Sequence, residues 1–143
     1  MKPYVSFITL GAENVPALAD FYESAFGWQP FTRRPEVVFF KLNGIVFAIF
    51  GREDLARDAG IESLGNGFKG SALAHNLSSE AEVDAAYAHV VAQGAKGVKP
   101  PQKTSWGGYA AYIADPEGHL WELAYNPFMQ MDENGNIISM QAT

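Results

Sequence analysis

The first half of the chain alternates between strand-like and helix-like hydrophobic patterns. Residues 4–10 alternate as a strand does, and an apolar stripe at helical spacing follows. Asn14 is placed to cap that helix and Gly27 to end it; the stripe consists of Leu18, Phe21, Tyr22 and Ala25. Three strand-like runs then cover residues 28–33, 37–42 and 45–50, with a hairpin predicted at Asn43-Gly44. The pattern predicts a βαβββ unit.

The second half repeats this order. Residues 71–77 predict a strand, and Ser79 with Glu82 forms a capping box that predicts a helix start. The helical stripe consists of Val83, Ala86, Tyr87 and Val90, and Gly94 is placed to end the helix. A short extended piece at 96–98 and strands at 108–114 and 119–125 complete the unit. The chain therefore predicts two copies of one α+β supersecondary unit.

The spacing of equivalent glycines supports this internal repeat. Gly27 and Gly94 lie 67 residues apart, and Gly44 and Gly118 lie 74 apart. We expect a single domain over residues 1–143, with a first module at about 4–50 and a second at about 71–126. The linker 51–70 is long for a connection, so we expect it to act as a lid or as one side of a binding site. Residues 127–143 form a tail, with a turn at Asn134-Gly135.

Composition narrows the class of protein. The chain is 48% hydrophobic and 18% charged, which is ordinary for a globular domain. A net charge of −6 argues against nucleic acid as a partner and mildly favours a neutral or cationic small ligand. No cysteine is present, which excludes disulfides, thiolate metal sites and cysteine nucleophiles. With neither a signal peptide nor an apolar run long enough for a bilayer, we expect a cytosolic protein that does not bind membranes.

The stretch from Asp115 to Leu123, with the sequence DPEGHLWEL, carries the most chemical information. Asp first, Pro second and Gly fourth predict a type I turn that leads into a strand. Along that strand, Glu122 faces one side of the sheet and Trp121 the other. A carboxylate among large apolar side chains suits a metal ligand, a general base or an anchor for a cationic ligand. A plainly exposed Glu is the alternative.

This layout resembles the vicinal oxygen chelate superfamily, which includes glyoxalase I, bleomycin-resistance proteins, extradiol dioxygenases and fosfomycin-resistance enzymes. The resemblance covers residues 4 to about 126 and rests on Phe21-Tyr22, on Gly27-Trp28 and on the DPEGHLWEL stretch. It implies two βαβββ modules that form a half-open barrel, the glyoxalase/bleomycin-resistance/dioxygenase-like fold. It also implies a ligand cavity inside and pairing into homodimers.

The resemblance can be tested position by position for the metal site of metal-using members. Glu122 matches the ligand on the last strand of the second module, and the offset of 74 residues leads to Ala48 in the first. The first-strand positions fall on Phe7 and Ala74, neither of which can bind a metal. His75 is adjacent, but a shift of one residue turns a strand side chain to the other face, so it is a ligand only if a bulge moves it. We therefore expect no conventional metal site and no cofactor.

What remains is an aromatic cavity, whose candidate wall residues are Phe7, Phe39, Phe47, Trp106, Tyr109, Tyr112 and Trp121. Each of these also suits an ordinary core. The paired glycines Gly107-Gly108 would let the backbone approach a ligand closely beside Trp106 and Tyr109. We expect ligand contacts from His75, Trp106, Tyr109, Trp121 and Phe7, with Glu122 as the catalytic or charged group. His119 is expected on a surface turn and His89 in solvent.

Two classes of function compete. The first is a protein that binds a small aromatic or cationic molecule without metal chemistry, with Glu122 as counter-charge. The second is an enzyme: a glyoxalase-like lyase or isomerase, or a dioxygenase-type enzyme, either with an unusual metal set or with Glu122 as a metal-free base. A third interpretation is a dimeric domain whose cavity is only packed core.

Overall fold

The computed structural model describes residues 3, 6–60, 62–65, 67–69 and 71–141. The chain divides into two compact units, Met1–Lys69 and Gly70–Thr143. Tyr4 and Val5 of the first predicted strand, and Asn66 and Gly70 of the linker, lie outside the described residues. Among the described helices, none combines the length and the hydropathy that crossing a membrane requires.

The first module is a βαβββ unit, as the hydrophobic pattern predicted. Its elements are β1 (Phe7–Ala12), α1 (Val15–Phe26), β2 (Pro30–Arg34), β3 (Val37–Lys41) and β4 (Val46–Gly51). The sheet order is β1-β4-β3-β2, with β1 parallel to β4 and the other neighbours antiparallel. The side chain of Asn14 accepts a hydrogen bond from Ala17 N at the start of α1, and Gly27 ends the helix with φ 71°. The predicted cap residues are therefore confirmed.

The core of the first module is aromatic and lies between α1 and one face of the sheet. Tyr22 on α1 packs its ring 4.9 Å from Phe47 and stacks on Trp28 at 5.7 Å. Phe40 and Phe47 are fully buried. Because strand side chains alternate, Phe39 and Ala48 point to the opposite face, which α1 does not cover. We call this the helix-free face of the first sheet.

The second module repeats the topology with β5 (Leu73–Asn76), α3 (Glu80–Ala92), β6 (Lys96–Lys103), β7 (Tyr109–Ala114) and β8 (Leu120–Tyr125). Its sheet order is β5-β8-β7-β6, with β5 parallel to β8. The Ser79 hydroxyl accepts from Glu82 N, while the Glu82 carboxylate accepts from Ser78 N rather than from Ser79 N. The capping box is thus present, with its return bond one residue earlier than in the usual form.

Three elements differ from the sequence prediction. A helix, α2 (Arg52–Ala59), occupies the start of the linker, and Arg52 donates hydrogen bonds to the carbonyls of Ser63 and Gly65. Strand β6 runs to Lys103, well beyond the predicted residue 98. The tail forms a hairpin of β9 (Met129–Met131) and β10 (Ile137–Met140) around the predicted turn. None of these elements buries an apolar stripe: α2 has no buried residue, β6 is almost entirely exposed, and the apolar side chains of β10 face solvent.

Candidate functional site

Glu122 lies on the face of the second sheet that is opposite to α3. The face toward α3 is identified by Tyr109, whose hydroxyl donates a 2.8 Å hydrogen bond to Asp84 on the helix. Side chains alternate along β7 and β8, so Tyr112 and Glu122 point away from the helix. The register places Glu122 beside Tyr112 on one side and Ala74 on the other. A carboxylate and a phenol are therefore neighbours on the helix-free face of the second sheet.

The Tyr112–Glu122 pair is coupled electrostatically. The pKa of Tyr112 is raised, first by desolvation, then by the negative charge of Glu122, and then by the hydrogen bond between the two side chains. Both residues are half-buried. The phenol therefore stays protonated at neutral pH, beside the carboxylate of its register partner. Glu122 keeps further lone pairs with which it can accept a proton or a hydrogen bond.

Three of the predicted ligand contacts lie on the other face. Trp121 is only 4% exposed and is the register partner of Ile113, in the core beneath α3. Tyr109 is held by Asp84, and Lys103 Nζ lies 5.8 Å from the centre of its ring. His75 is the register partner of Leu123, and no bulge interrupts β5 beside β8. Glu122 and His75 therefore point to opposite sides of the sheet.

His75 sits at the edge of that helix-covered face. Its side chain is exposed at the edge strand, yet desolvation by the surrounding protein lowers its pKa. The neutral imidazole is the favoured form at neutral pH. No described element brings it beside Glu122, so the two do not act on one group in this arrangement.

The paired glycines, Gly107 and Gly108, pack against aromatic rings of the chain itself. A Cβ on Gly108 would overlap the outer edge of the Trp106 ring and lie 2.8 Å from the Tyr125 carbonyl oxygen. A Cβ on Gly107 would lie 3.1 Å from the ring of Phe128. Trp106 nevertheless remains 37% exposed. The close backbone approach predicted from the sequence thus serves packing within the turn, and one edge of the Trp106 ring stays accessible.

The helix-free face of the first sheet carries an exposed aromatic cluster, consisting of Phe7, Phe31 and Phe39. Phe39 lies between the other two, with ring centroids 6.1 Å from Phe7 and 6.0 Å from Phe31. Phe7 is 54% exposed and Phe31 59% exposed. The irregularity in pairing between Pro30 and Thr32 occurs at Phe31. Phe47, another predicted wall residue, is instead fully buried on the helix-covered face.

A cleft of about 480 Å³ adjoins this cluster. Its described lining residues are Ser6, Phe31, Lys41, Leu42, Gly44, Ile45 and Val46. The volume falls within the range usual for small-molecule sites. Sequence reasoning found Phe7 and Phe39 but missed Phe31 and Lys41. The alternation in β3 could have placed Lys41 beside Phe39, whereas the irregular pairing of β2 hides the position of Phe31.

The described residues do not fit the metal site that the resemblance implies. Within the part of the chain that the structure describes, no three His, Asp or Glu side chains converge as metal ligands would. Glu122 has Ala74 and Tyr112 as its row neighbours in the second sheet, and the corresponding row of the first sheet holds Ala48, Thr9 and Phe39. Apart from Glu122, these rows hold no carboxylate or imidazole, and we derive no chemistry through a metal.

The register also revises one sequence alignment. The 67-residue offset paired Ala74 with Phe7, but the position that matches Ala74 in the first sheet is Thr9. The stretch from the strand to the helix-end glycine is two residues longer in the second module, which accounts for the difference. The 74-residue offset, which equates Glu122 with Ala48, agrees with the register.

His119 does more than cover a surface turn. The Asp115 carboxylate accepts from Glu117 N and His119 N at 2.9 Å, and it lies 2.8 Å from His119 Nδ1. The Asp115 side chain is fully buried, and 21% of the His119 side chain is exposed. The predicted β-turn is confirmed by the bond from Gly118 N to Asp115 O. The turn is a rigid anchor for the strand that carries Glu122.

Comparison with known proteins shows the family to which this chain belongs. The model of the Glyoxalase/Bleomycin resistance protein/Dioxygenase superfamily matches residues 5–123. The crystal structure of a glyoxalase-related enzyme from Fulvimarina pelagi is 36% identical, covers 97% of this chain and 99% of its own, and superposes with a TM-score of 0.90. Among curated proteins, none matches the chain.

Two more distant structures share the fold. A glyoxalase/bleomycin resistance protein/dioxygenase from Nocardioides is 23% identical, with coverage of 99% and 91% and a TM-score of 0.74. A lactoylglutathione lyase from Agrobacterium tumefaciens is 22% identical, with coverage of 88% and 96% and a TM-score of 0.68. At these identities the similarity concerns the fold alone. The α+β class with two βαβββ modules is thereby confirmed.

Proposed function

Because the chain belongs to the glyoxalase/bleomycin-resistance/dioxygenase superfamily, we propose that it binds a small aromatic molecule on the helix-free face of its first module. The observation that carries this proposal is the exposed cluster of Phe7, Phe31 and Phe39 beside a 480 Å³ cleft. Exposed rings that already contact each other form a continuous apolar surface. Such a surface is expensive to leave in water unless a ligand covers it.

The geometry of the rings suits stacking. Phe31 and Phe39 are tilted by 36°, and Phe7 meets Phe39 nearly edge-on at 78°. A flat ligand can extend this arrangement from the exposed side of Phe31, and each aromatic pair contributes about 0.5–1.5 kcal/mol beyond the area it buries. Phe39 is held between the other two rings, so a ligand meets a surface that is already ordered.

The test is a screen of small aromatic compounds by thermal shift, followed by calorimetry on wild type and Phe31→Ala. We expect the substitution to weaken binding by about 2- to 13-fold, the affinity equivalent of one aromatic pair. Phe68→Ala is the matched control, because Phe68 is also exposed and does not line the cleft. Equal affinities for wild type and Phe31→Ala would refute the proposal.

A second candidate function is metal-free proton transfer by Glu122. The Tyr112–Glu122 pair favours it, and the 36% identical relative is described as a glyoxalase-related enzyme. In such a reaction the carboxylate takes a proton from the carbon that bears a hydroxyl, beside a carbonyl, and returns it to the carbonyl carbon, while the hydroxyl proton passes to the former carbonyl oxygen. The substrate is isomerised and the enzyme regains its starting charge. Tyr112 would orient the carboxylate.

This candidate is tested with the hemithioacetal of methylglyoxal and glutathione as substrate. Glu122→Gln should lower turnover by about a hundredfold or more, the scale of general-base catalysis. Glu117→Gln is the control, since that carboxylate lies in the turn before β8 rather than on the helix-free face. Unaltered turnover in Glu122→Gln removes Glu122 as the base. Glu122 as a counter-charge for a cationic ligand stays a prediction, tested by the loss of cation binding in the same variant.

We also propose that the protein is a cytosolic homodimer. Ile137, Ile138 and Met140 on β10 are each more than 60% exposed, and pairing of two copies would cover apolar surface of this kind. Light scattering should give twice the 15.6 kDa chain mass at micromolar concentration. A mass equal to that of one chain across this range would contradict the dimer.

A further inference from the structure

We propose that the ligand of the first-module cleft is an aromatic carboxylate, with Lys41 as the partner of its charged group. This inference rests on the proposed binding function and specifies its ligand. Among the described residues that line the cleft, Lys41 is the only charged one. The others are apolar or small, apart from the hydroxyl of Ser6.

The strand register places Lys41 within reach of the aromatic cluster. Lys41 ends β3, and its row across the sheet continues through Val46 on β4 to Phe7 on β1. It lies two residues after Phe39 on the same strand, so the two side chains share the helix-free face. Lys41 is therefore attached at one end of the surface that carries the aromatic cluster. A ligand with a ring and an acidic group at one end matches that order.

Lys41 is available for a ligand. Of the ion pairs found among the described residues, none includes Lys41. The side chain is exposed, so it keeps its hydration until an anion takes that place. A carboxylate would receive hydrogen bonds from the ammonium, and the Ser6 hydroxyl offers a second donor at the same cleft.

The net charge of −6 does not decide the sign of the ligand. At physiological ionic strength, charges more than about 8 Å apart are largely screened. A group in the cleft therefore responds to Lys41 more than to carboxylates beyond that distance, and the described lining residues include no Asp or Glu. The same reasoning disfavours a cationic ring here, because the ammonium would repel it.

The test compares three probes that share one ring system: 2-naphthoate, its neutral amide 2-naphthamide, and the cation 2-naphthylmethylammonium. Calorimetry with wild-type protein should show 2-naphthoate bound about 5- to 10-fold more tightly than the amide, with the cation weakest. Lys41→Met keeps the aliphatic stem and removes the charge, so it should make the acid and the amide bind equally. Lys99→Met, an exposed lysine of the second module, is the control and should leave the preference unchanged. Raising the salt concentration to 1 M should reduce the preference in wild type and in Lys99→Met, and should have no effect in Lys41→Met.

The outcomes separate this inference from the function on which it rests. If the acid and the amide bind wild type equally and Phe31→Ala weakens both, the aromatic site stands and the assignment of an anion is overturned. A cation that binds more tightly than the acid also overturns it. A preference for the acid that persists in Lys41→Met assigns the charge recognition to another group and refutes the role of Lys41. If no probe binds at millimolar concentration, both the inference and the proposed function fail.

Discussion

The interaction between Tyr112 and Glu122, which are register partners on β7 and β8, can be measured with a double-mutant cycle of Tyr112→Phe, Glu122→Gln and the combined variant. Each substitution keeps the shape of the side chain and changes its polar end. A hydrogen bond to a charged group contributes about 1.5–3 kcal/mol when it is well shielded. Both residues here are half-buried, so water competes for the bond. We therefore expect a coupling free energy of about 1 kcal/mol.

This coupling is large enough to detect by thermal unfolding. For a chain of this length, 1 kcal/mol corresponds to a change in Tm of about 2–5 °C. The cycle should be measured near pH 7.5. The raised pKa of Tyr112 means that its contribution to stability is fully present below the unfolded pKa of tyrosine, about 10, and is lost as the pH rises through the folded pKa.

The absorbance of the phenolate supplies a second measurement. The Tyr112 signal is obtained as the difference between each background and the same background with Tyr112→Phe. In Glu122→Gln the pKa of Tyr112 should fall, because the negative charge is gone, yet stay above its ordinary value, because desolvation is the first cause of the shift. A coupling below about 0.3 kcal/mol, the usual limit of additivity, together with an unchanged pKa would refute the pairing.

Three further predictions follow from other parts of the structure. In urea unfolding, Gly108→Ala should destabilise the fold by about 1–3 kcal/mol, because the added Cβ overlaps the Trp106 ring. The control Gly67→Ala should be neutral, since its Cβ meets nothing within 4 Å. Equal effects of the two substitutions would contradict this packing. Asp115→Ala should lower the free energy of unfolding by about 2–4 kcal/mol, since the buried carboxylate accepts several hydrogen bonds in its turn. A loss below 1 kcal/mol would show that the turn is stable without this carboxylate. The pKa of His75 is lowered from 6.5, so its stability contribution is fully present above that pH and is lost as the pH falls through the folded pKa. His75→Gln should therefore reduce the decline in Tm toward pH 5. An identical pH profile in the variant would show that His75 is not the source of the decline.

The hydrophobic pattern was sufficient for the repeated βαβββ topology. Both helix starts, the Asn43-Gly44 hairpin and the turn before β8 follow from local rules, because caps and turns depend on neighbours in sequence. Helix α2 was missed because none of its residues is buried, so it has no apolar stripe for a pattern to detect. The β9–β10 hairpin was missed, although its turn was predicted, because its strands are only three and four residues long and hold no buried side chain.

The candidate site, too, could be predicted from the sequence only in part. Alternation along β8 determined from sequence alone that Glu122 and Trp121 face opposite sides of the sheet. The alternation could not determine which side of the sheet α3 covers. Because α3 covers the side of Trp121, Trp121 belongs to the core and Glu122 is accessible. The choice depends on the path of the chain between β5 and β6, which brings helix and sheet together over residues far apart in sequence.

The aromatic cluster and its lysine show the remaining limit. Phe7, Phe31 and Lys41 lie on three different strands, and only the pairing of β1 with β4 and of β2 with β3 brings them to one face. A single residue of irregularity at Phe31 is enough to change which side chain faces the cleft. Local sequence patterns therefore predicted the elements of the two βαβββ modules and the alternation within each strand. The tertiary structure decided which faces are covered and which side chains meet, because both depend on register between strands that local sequence does not encode.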